Sequence, residues 1–145
     1  MATVPLASLS QARLLARTIL IVEDEPLIAL HLHASLREAG AGLIAATTAG
    51  EALRLLTRND VSAAIVDVRL GDQDCYPVCK ELSNRRIPFA FHTGHANAEA
   101  LRRWPEAPVF IKPVPVEELV AGIAALVSST RKGVGAVLTA RREDG

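Results

Sequence analysis

Short aliphatic runs alternate with segments of helical periodicity along most of the chain, and this alternation restricts the fold more than any other feature. The runs are four or five residues long and mostly apolar, as expected of strands that are covered on both faces. They span residues 19–23, 43–47, 63–67, 89–92 and 109–112. Strands that alternate with helices in this way are typical of a parallel sheet flanked by helices. The sequence therefore predicts an α/β fold.

The segments between these runs carry apolar residues at helical spacing. In each of three segments these residues would form a single apolar face of a helix. The first segment contributes Ile28, Leu32 and Leu36; the second Ala49, Ala52, Leu53 and Leu56; and the third Val116, Leu119, Val120, Ile123 and Val127. Pro26, Pro77 and Pro115 stand where helices would begin, which suits a residue without an amide hydrogen. We expect five helices, with the weakest pattern in the fourth, at residues 97–103.

The chain has 145 residues, half of them hydrophobic, which is enough for one domain with a substantial core. We assign that domain to residues 18–128. Residues 1–17 form an N-terminal extension with a weak helical pattern. Residues 129–145 lack apolar periodicity and carry opposite charges close together, so we expect a mobile C-terminal tail.

Charge and cysteine usage narrow the function classes. Sixteen basic and sixteen acidic residues balance, so the chain has no overall field that would attract nucleic acid or an anionic membrane. Cys75 and Cys79 are the only cysteines and are expected to be reduced, buried thiols. No N-terminal apolar run is long enough to span a bilayer, and we expect a cytoplasmic protein.

Polar residues are concentrated where the predicted strands end. Glu23 and Asp24 end the first strand, Asp67 the third, Thr93 follows the fourth, and Lys112 ends the fifth. Ligands of open parallel sheets collect at the carboxyl ends of the strands, so we expect these side chains to converge. Carboxylates about 4 Å apart would repel by roughly 4 kcal/mol per pair at an effective dielectric of about 20. A hard divalent cation such as Mg²⁺ would offset that repulsion, with Lys112 as a further positive charge.

These motifs resemble those of bacterial response-regulator receiver domains over about residues 18–127. The resemblance is carried by the acid pair in "VEDE", the lone aspartate in "AAIVDVRLG", the Thr-Gly of "FHTGH", and "IKPV". It implies a flavodoxin-like, doubly wound five-stranded parallel sheet of order 2-1-3-4-5 with five helices. More narrowly, the chain is similar to receivers whose fourth strand reads Phe-Ala-Thr-Gly followed by a tyrosine. Here His92 replaces the alanine, and His95 stands near the tyrosine position.

The resemblance also implies a role for each site residue. Asp67 would accept a phosphoryl group from a sensor histidine kinase or a phosphotransfer protein. Asp24 would bind Mg²⁺ directly, Glu23 directly or through water, and the backbone carbonyl of Arg69 would complete the protein ligands.

Three further expectations follow from the same resemblance. The Thr93 hydroxyl would donate to a phosphoryl oxygen. Lys112 would pair with Asp67 before phosphorylation and with the phosphoryl group afterwards. The Lys112-Pro113 bond would be cis.

The fifth strand departs from the receiver pattern. Most receivers carry Tyr or Phe three residues before the lysine, and its rotation reports phosphorylation; here that position is Val109. Phe110 is adjacent, but alternation along the strand turns it to the opposite face. Our hypothesis is that the signal travels through ordering of the loop at residues 93–98 and of the fourth helix.

The leading interpretation is a stand-alone receiver that signals to a downstream protein target or serves as a phosphate sink. A phosphatase with an aspartate nucleophile would carry a second acid two residues later, where this chain has Arg69. A flavodoxin-like redox carrier would need a hydroxyl-rich loop after the first strand. The remaining alternatives are an interaction module that takes no phosphate and a fragment of a DNA-binding regulator, although no helix-turn-helix segment is recognisable.

Overall fold

Five parallel strands form one sheet in the computed structural model of the chain, which describes residues 13–131. They are β1 (Thr18–Val22), β2 (Gly42–Ala46), β3 (Ala63–Val66), β6 (Phe89–Thr93) and β7 (Val109–Ile111), in the order β2-β1-β3-β6-β7. Two short strands, β4 (Arg69–Leu70) and β5 (Gln73–Asp74), pair as a separate antiparallel hairpin after β3. With the hairpin set aside, the predicted order 2-1-3-4-5 is confirmed, and each strand ends within one residue of its predicted bounds.

Five helices accompany the strands in the described part of the chain, four between strands and one after the last strand. They are α1 (Pro26–Glu38), α2 (Ala49–Arg58), α3 (Tyr76–Asn84), α4 (Glu99–Arg103) and α5 (Val116–Arg131). Pro26 opens α1, Pro77 lies in the first turn of α3, and Pro115 immediately precedes α5, as predicted. Helix α4 begins two residues later than predicted and is the shortest. Within residues 13–131, no helix combines the length and apolarity needed to cross a membrane.

Each face of the sheet carries its own apolar layer, because successive side chains of a strand point to opposite sides. Ile19, Ile21 and Ile65 pack with residues of α1 and α5. We call this side the α1/α5 face. Leu20 and Val22 pack on the other side with residues of α2, α3 and α4. Helices on both faces explain why the strands are apolar throughout rather than alternating with polar residues.

The two cysteines lie in the second of these layers. Cys75 and Cys79 are fully buried and free, and their Sγ atoms are 3.7 Å apart. The hydrogen bond from Cys79 to Cys75, together with burial, raises the pKa of Cys79. They are therefore buried core thiols, as expected from the sequence.

The described structure extends slightly beyond the domain bounds assigned from the sequence. Leu14 is completely buried in the α1/α5 layer, and its N–H donates to the carbonyl oxygen of Ala39 at 2.9 Å. At the other end, α5 continues to Arg131. The expectations for residues 1–12 and 132–145 lie outside the described residues.

The edge strand β7 is fixed to α5 by an aromatic ring packed against a glycine. Phe110 belongs to the α1/α5 layer, and a Cβ built on Gly122 would overlap its Cζ and lie 3.0 Å from its Cε1. The ring therefore occupies the space that any larger residue at position 122 would need.

Replacing Gly122 with alanine should destabilise the domain. Helix propensity favours alanine by up to about 1 kcal/mol, but displacing a packed ring typically costs about 1–3 kcal/mol. Because three ring atoms of Phe110 lie within 3.2 Å of the added Cβ, we expect a packing cost in the upper part of that range and a net loss of about 1–2 kcal/mol in the free energy of unfolding, measured by urea denaturation. The matched control is Gly50→Ala in α2, where the nearest atom to an added Cβ is Arg54 Nη1 at 3.7 Å. A G122A variant as stable as wild type would contradict this packing argument.

Candidate functional site

Three carboxylates lie together at the carboxyl ends of β1 and β3. One oxygen from each of Glu23, Asp24 and Asp67 lies within 4.8 Å of the other two. Glu23 is 2% exposed and Asp67 is 6% exposed, whereas Asp24 is half-buried. The sheet fixes the first and third of these, because Glu23 N–H donates to Ala46 and Asp67 N–H donates to Val22, both at 3.0 Å. The acids therefore stand on rigid backbone, at the edge predicted from the strand ends.

Lys112 bridges two of the acids. Its Nζ lies 2.8 Å from Glu23 Oε1 and 2.8 Å from Asp67 Oδ2. Glu25 Oε1 lies 3.9 Å from the same nitrogen, and the Glu25 side chain is 64% exposed. The Lys112-Pro113 peptide bond is cis, as the family resemblance implied. Lys112 thus supplies one positive charge to a cluster of three carboxylates, so their negative charge is only partly neutralised.

Burial and pairing act in opposite directions on the ionisation of this bridge. Burial raises the pKa of Glu23, outweighing the ion pair with Lys112 that lowers it. For Lys112, burial lowers the pKa, but the hydrogen bonds to Asp67 and Glu23 outweigh it and raise the pKa above its usual value. The lysine is thus held in its charged form, while Glu23 is a carboxylate whose negative charge is only partly compensated.

The β4–β5 hairpin closes the pocket beside Asp24. The backbone N–H of Gly71 donates to Asp24 Oδ2 at 2.7 Å, and Gly71 has φ +67°, a conformation that favours glycine. The N–H of Arg69 donates to Asp67 Oδ1 at 3.4 Å, while its side chain is exposed. The hairpin and the contact between Gly71 and Asp24 were not predicted from the sequence, where the glycine beside Leu70 was the available signal.

Thr93 ends β6 next to this pocket. It is completely buried, and its Oγ1 accepts a hydrogen bond from His95 N–H at 3.1 Å, which leaves its own hydroxyl hydrogen available. A Cβ built on Gly94 would meet no atom within 4 Å, so the loop is open at that point. Lys112 N–H donates to the carbonyl oxygen of Thr93 at 2.9 Å, which fixes the end of β7 against β6.

His92 is a feature of the site that the sequence did not reveal. The residue is 6% exposed, and its Nδ1 has no hydrogen-bond partner among the described residues. Burial, followed by the charge of Lys112, lowers the pKa of His92 to about 4, against the opposing effect of Asp67. The imidazole is therefore neutral near pH 7. From the sequence, His92 was recognised only as a replacement of the alanine in the fourth strand, because burial depends on which neighbours cover a strand end.

The edge strand β7 exposes apolar side chains on one face of the sheet. Val109 is 40% exposed and Ile111 is 41% exposed, while Phe110 turns to the α1/α5 face. Phe110 therefore turns away from the face that carries Val109, as alternation along the strand predicted. Near α4, Trp104 instead packs edge-on against Tyr76 of α3, with ring centroids 5.3 Å apart.

The residues in this pocket suit a hard divalent cation. All three side chains of the cluster offer carboxylate oxygens, the ligands that Mg²⁺ prefers, and Lys112 compensates only part of their charge. Asp24 lies at the accessible side of the cluster, where a metal can enter and retain several waters. The donor set therefore fits Mg²⁺.

Replacing Asp24 with asparagine should weaken Mg²⁺ binding at least about 10-fold, because a charged ligand becomes neutral. The amide oxygen can still accept the hydrogen bond from Gly71, so the hairpin should remain in place. Calorimetric titration with MgCl₂ measures the change. Asp72→Asn, an exposed acid of the same hairpin, is the control and should bind Mg²⁺ like wild type. Equal affinities for D24N and wild type would place the metal elsewhere.

Comparisons with known proteins agree with this geometry. The family model described as the response regulator receiver domain matches residues 19–124. The chain is 29% identical over 121 residues to the transcriptional regulatory protein PdtaR of Mycobacterium tuberculosis, covering 80% of this chain and 59% of the relative.

Solved structures give the same result. A CheY-like receiver domain from Methanospirillum hungatei is 26% identical with a TM-score of 0.74, covering 80% of this chain and 97% of the other. The HemR receiver domain of Leptospira biflexa is 26% identical with a TM-score of 0.70, covering 77% of this chain and 94% of the other. The chain therefore belongs to the response regulator receiver domain family of two-component systems.

Proposed function

We propose that this receiver domain accepts a phosphoryl group on Asp67 in a Mg²⁺-dependent reaction. The observation that carries the proposal is the position of Asp67, whose Oδ2 lies 2.8 Å from Lys112 Nζ and which offers a carboxylate oxygen within 4.8 Å of those of Glu23 and Asp24. The donor would be a phosphohistidine of a sensor histidine kinase or a phosphotransfer protein.

The transfer is a displacement at phosphorus. A carboxylate oxygen of Asp67 forms the new P–O bond while the P–N bond to the donor histidine breaks. The donor imidazole keeps the electron pair and takes up a proton from solvent. Because Asp67 is nearly buried and follows directly from β3, its carboxylate has little freedom, which favours in-line geometry.

Asp24, Asp67 and the backbone carbonyl of Arg69 would hold Mg²⁺, with Glu23 acting directly or through water. When bound, the ion offsets the negative charge of the carboxylates and of the incoming phosphoryl group. The pairing of Glu23 with Lys112 at 2.8 Å favours the water-mediated role for Glu23, since one of its oxygens is already engaged.

Thr93 and Lys112 would contact the transferred group. The Thr93 hydroxyl keeps a hydrogen to donate to a phosphoryl oxygen, and the open side of Gly94 leaves room for that group. The flexible stem of Lys112 would allow its ammonium group to follow the charge from Asp67 to the phosphoryl oxygens.

The signal would leave through protein contact. The curated relative is named a transcriptional regulator, but this chain spans 59% of its length, and balanced charge favours protein over nucleic acid or membrane as the partner of this domain. The domain could serve as an adaptor or as a phosphate sink for the kinase.

Conformational change should be concentrated in residues 93–98 and in α4. Helix α4 has only five residues, and Val109 cannot act as an aromatic switch. Adding beryllofluoride, a phosphoryl analogue, with Mg²⁺ should therefore slow amide hydrogen exchange in this segment more than in α2. Unchanged exchange at residues 93–103 in a protein that binds beryllofluoride would reject this route.

Two other functions are less well supported. In an aspartate-nucleophile phosphatase, a second acid would stand where Arg69 lies, and the Arg69 side chain is exposed. An interaction module that takes no phosphate would not need a lysine held between two nearly buried carboxylates.

The proposal is tested by incubating the protein with acetyl phosphate, with and without Mg²⁺, and measuring intact mass. We expect one phosphoryl group to be added only with Mg²⁺, to be removed by hydroxylamine as an acyl phosphate would be, and to map to the peptide that contains Asp67. No mass change with either acetyl phosphate or a phosphorylated histidine kinase would overturn the proposal.

A further inference from the structure

The imidazole of His92 is a buried polar group with an unpaired nitrogen beside the phosphoacceptor. The residue is 6% exposed, and Nδ1 makes no hydrogen bond within the described part of the chain. Leaving a buried nitrogen unpaired costs free energy, and such groups call for an explanation such as a role in catalysis.

Strand register places His92 level with the reacting side chains. On β6, Ala90 belongs to the α1/α5 face, and His92 shares that face two residues later. Val66 pairs with Phe91, so Asp67 lies opposite His92 when the register is continued by one residue. On the other side, His92 pairs with Phe110, two residues before Lys112.

The strand order requires the Lys112 side chain to reach across β6, the strand that carries His92. Strand β6 lies between β3 and β7, so Lys112 at the end of β7 must cross β6 to bring its Nζ within 2.8 Å of Asp67. The backbones of β7 and β3 are two strand spacings apart, about 10 Å, and the lysine side chain covers that separation. The lysine stem therefore passes over β6 where His92 and Thr93 lie.

The ammonium group of Lys112 has one hydrogen left for a hydrogen bond to His92. The group carries three hydrogens, and Glu23 and Asp67 accept two of them. Glu25 Oε1, at 3.9 Å, is beyond hydrogen-bond distance. Because the imidazole is neutral, one of its ring nitrogens is an acceptor, and a nearby ammonium favours the tautomer that turns this acceptor toward it.

We propose that His92 is a positioning residue for Lys112, whose ammonium group donates to His92 Nδ1 when it turns from Asp67 to the phosphoryl group. The inference rests on the proposed phosphorylation of Asp67 and adds a residue to that reaction. The unpaired nitrogen of the unphosphorylated state is then the acceptor that the phosphorylated state uses.

The direct test is ¹⁵N NMR of the imidazole rings in the full chain, with and without beryllofluoride and Mg²⁺. We expect His92 to be in the tautomer protonated at Nε2 in both states, and its Nδ1 resonance to move toward that of a hydrogen-bonded acceptor in the adduct. His31 and His33 on α1 are internal controls that should not change. A His92 spectrum that is unchanged in the adduct, or protonation at Nδ1, would overturn the inference.

Substitutions separate positioning from packing. His92→Leu fills the space without an acceptor, whereas His92→Asn offers an amide oxygen near the position of Nδ1. Since H92L removes an unpaired buried nitrogen, it should be at least as stable as wild type in urea, yet take up phosphoryl from acetyl phosphate about 10-fold to 100-fold more slowly. H92N should recover most of that rate.

A purely structural role predicts the opposite order, with H92L as fast as or faster than H92N, and that result would reject the inference. The outcomes also separate the two proposals. If wild type takes up phosphoryl and H92L does so equally fast, only the role of His92 fails. If wild type itself neither takes up phosphoryl nor binds beryllofluoride, the proposed function fails and the inference fails with it.

Discussion

Replacing Asp67 with asparagine is expected to abolish phosphoryl uptake from acetyl phosphate at every Mg²⁺ concentration. In the proposed reaction the Asp67 carboxylate oxygen is the nucleophile, and a neutral amide cannot form the acyl phosphate. The substitution keeps the shape of the side chain, and Lys112 keeps its bond to Glu23 at 2.8 Å, so the pocket should remain folded. Intact-mass measurement after incubation, with a urea denaturation curve for the same sample, distinguishes lost chemistry from lost structure.

The control for this variant is Asp72→Asn, which removes an exposed acid from the adjoining hairpin and should be phosphorylated like wild type. Phosphorylation of D67N at the wild-type rate would mean that another residue is the acceptor. Loss of uptake in both variants would point to a general effect of negative charge rather than to a nucleophile at position 67.

Replacing Lys112 with methionine should lower the free energy of unfolding by about 3–5 kcal/mol in the absence of Mg²⁺. The side chain has nearly the same length, but Glu23 and Asp67 would be left as nearly buried carboxylates without their positive partner. Removing one member of a buried ion pair costs more than the pair contributes, because the remaining charge stays desolvated. Urea denaturation in EDTA measures this loss.

The stability of K112M can also be measured in the presence of Mg²⁺. Saturating Mg²⁺ should stabilise K112M more than wild type, because the ion would replace a missing positive charge rather than add to one already present. Lys80→Met is the matched control, since Lys80 is exposed on α3, and it should change stability by less than about 0.5 kcal/mol. A cost below about 1 kcal/mol for K112M in EDTA would contradict the electrostatic account of the pocket.

The elements of the fold were predictable because their signals are local. The aliphatic runs identified the five main strands to within one residue, and Pro26 and Pro77 marked the first turns of α1 and α3. The predicted start of helix α4 was less accurate, since residues 97 and 98 are not helical. A five-residue helix has too few turns for a periodic pattern. The β4–β5 hairpin was missed for the same reason, since two-residue strands leave no alternation to recognise.

Convergence of the site was also predictable, but its contacts were not. Polar residues at strand ends follow from the sequence, and the carboxyl ends of parallel strands necessarily share an edge. The 2.7 Å bond between Gly71 and Asp24, and the burial of His92, involve residues that only the folded chain brings together. Likewise, no pattern around Gly122 indicates that the ring of Phe110 packs against it.

The sequence by itself determined the parallel α/β sheet and the gathering of Glu23, Asp24, Asp67 and Lys112 at one edge, because hydrophobic periodicity and residue type act within a single strand or turn. The tertiary structure alone decided which carboxylates Lys112 bridges, which N–H restrains Asp24 and which buried nitrogen has no hydrogen-bond partner within residues 13–131. These depend on strand order and register, since the crossing of Lys112 over β6 is a relation between three strands that are distant in sequence.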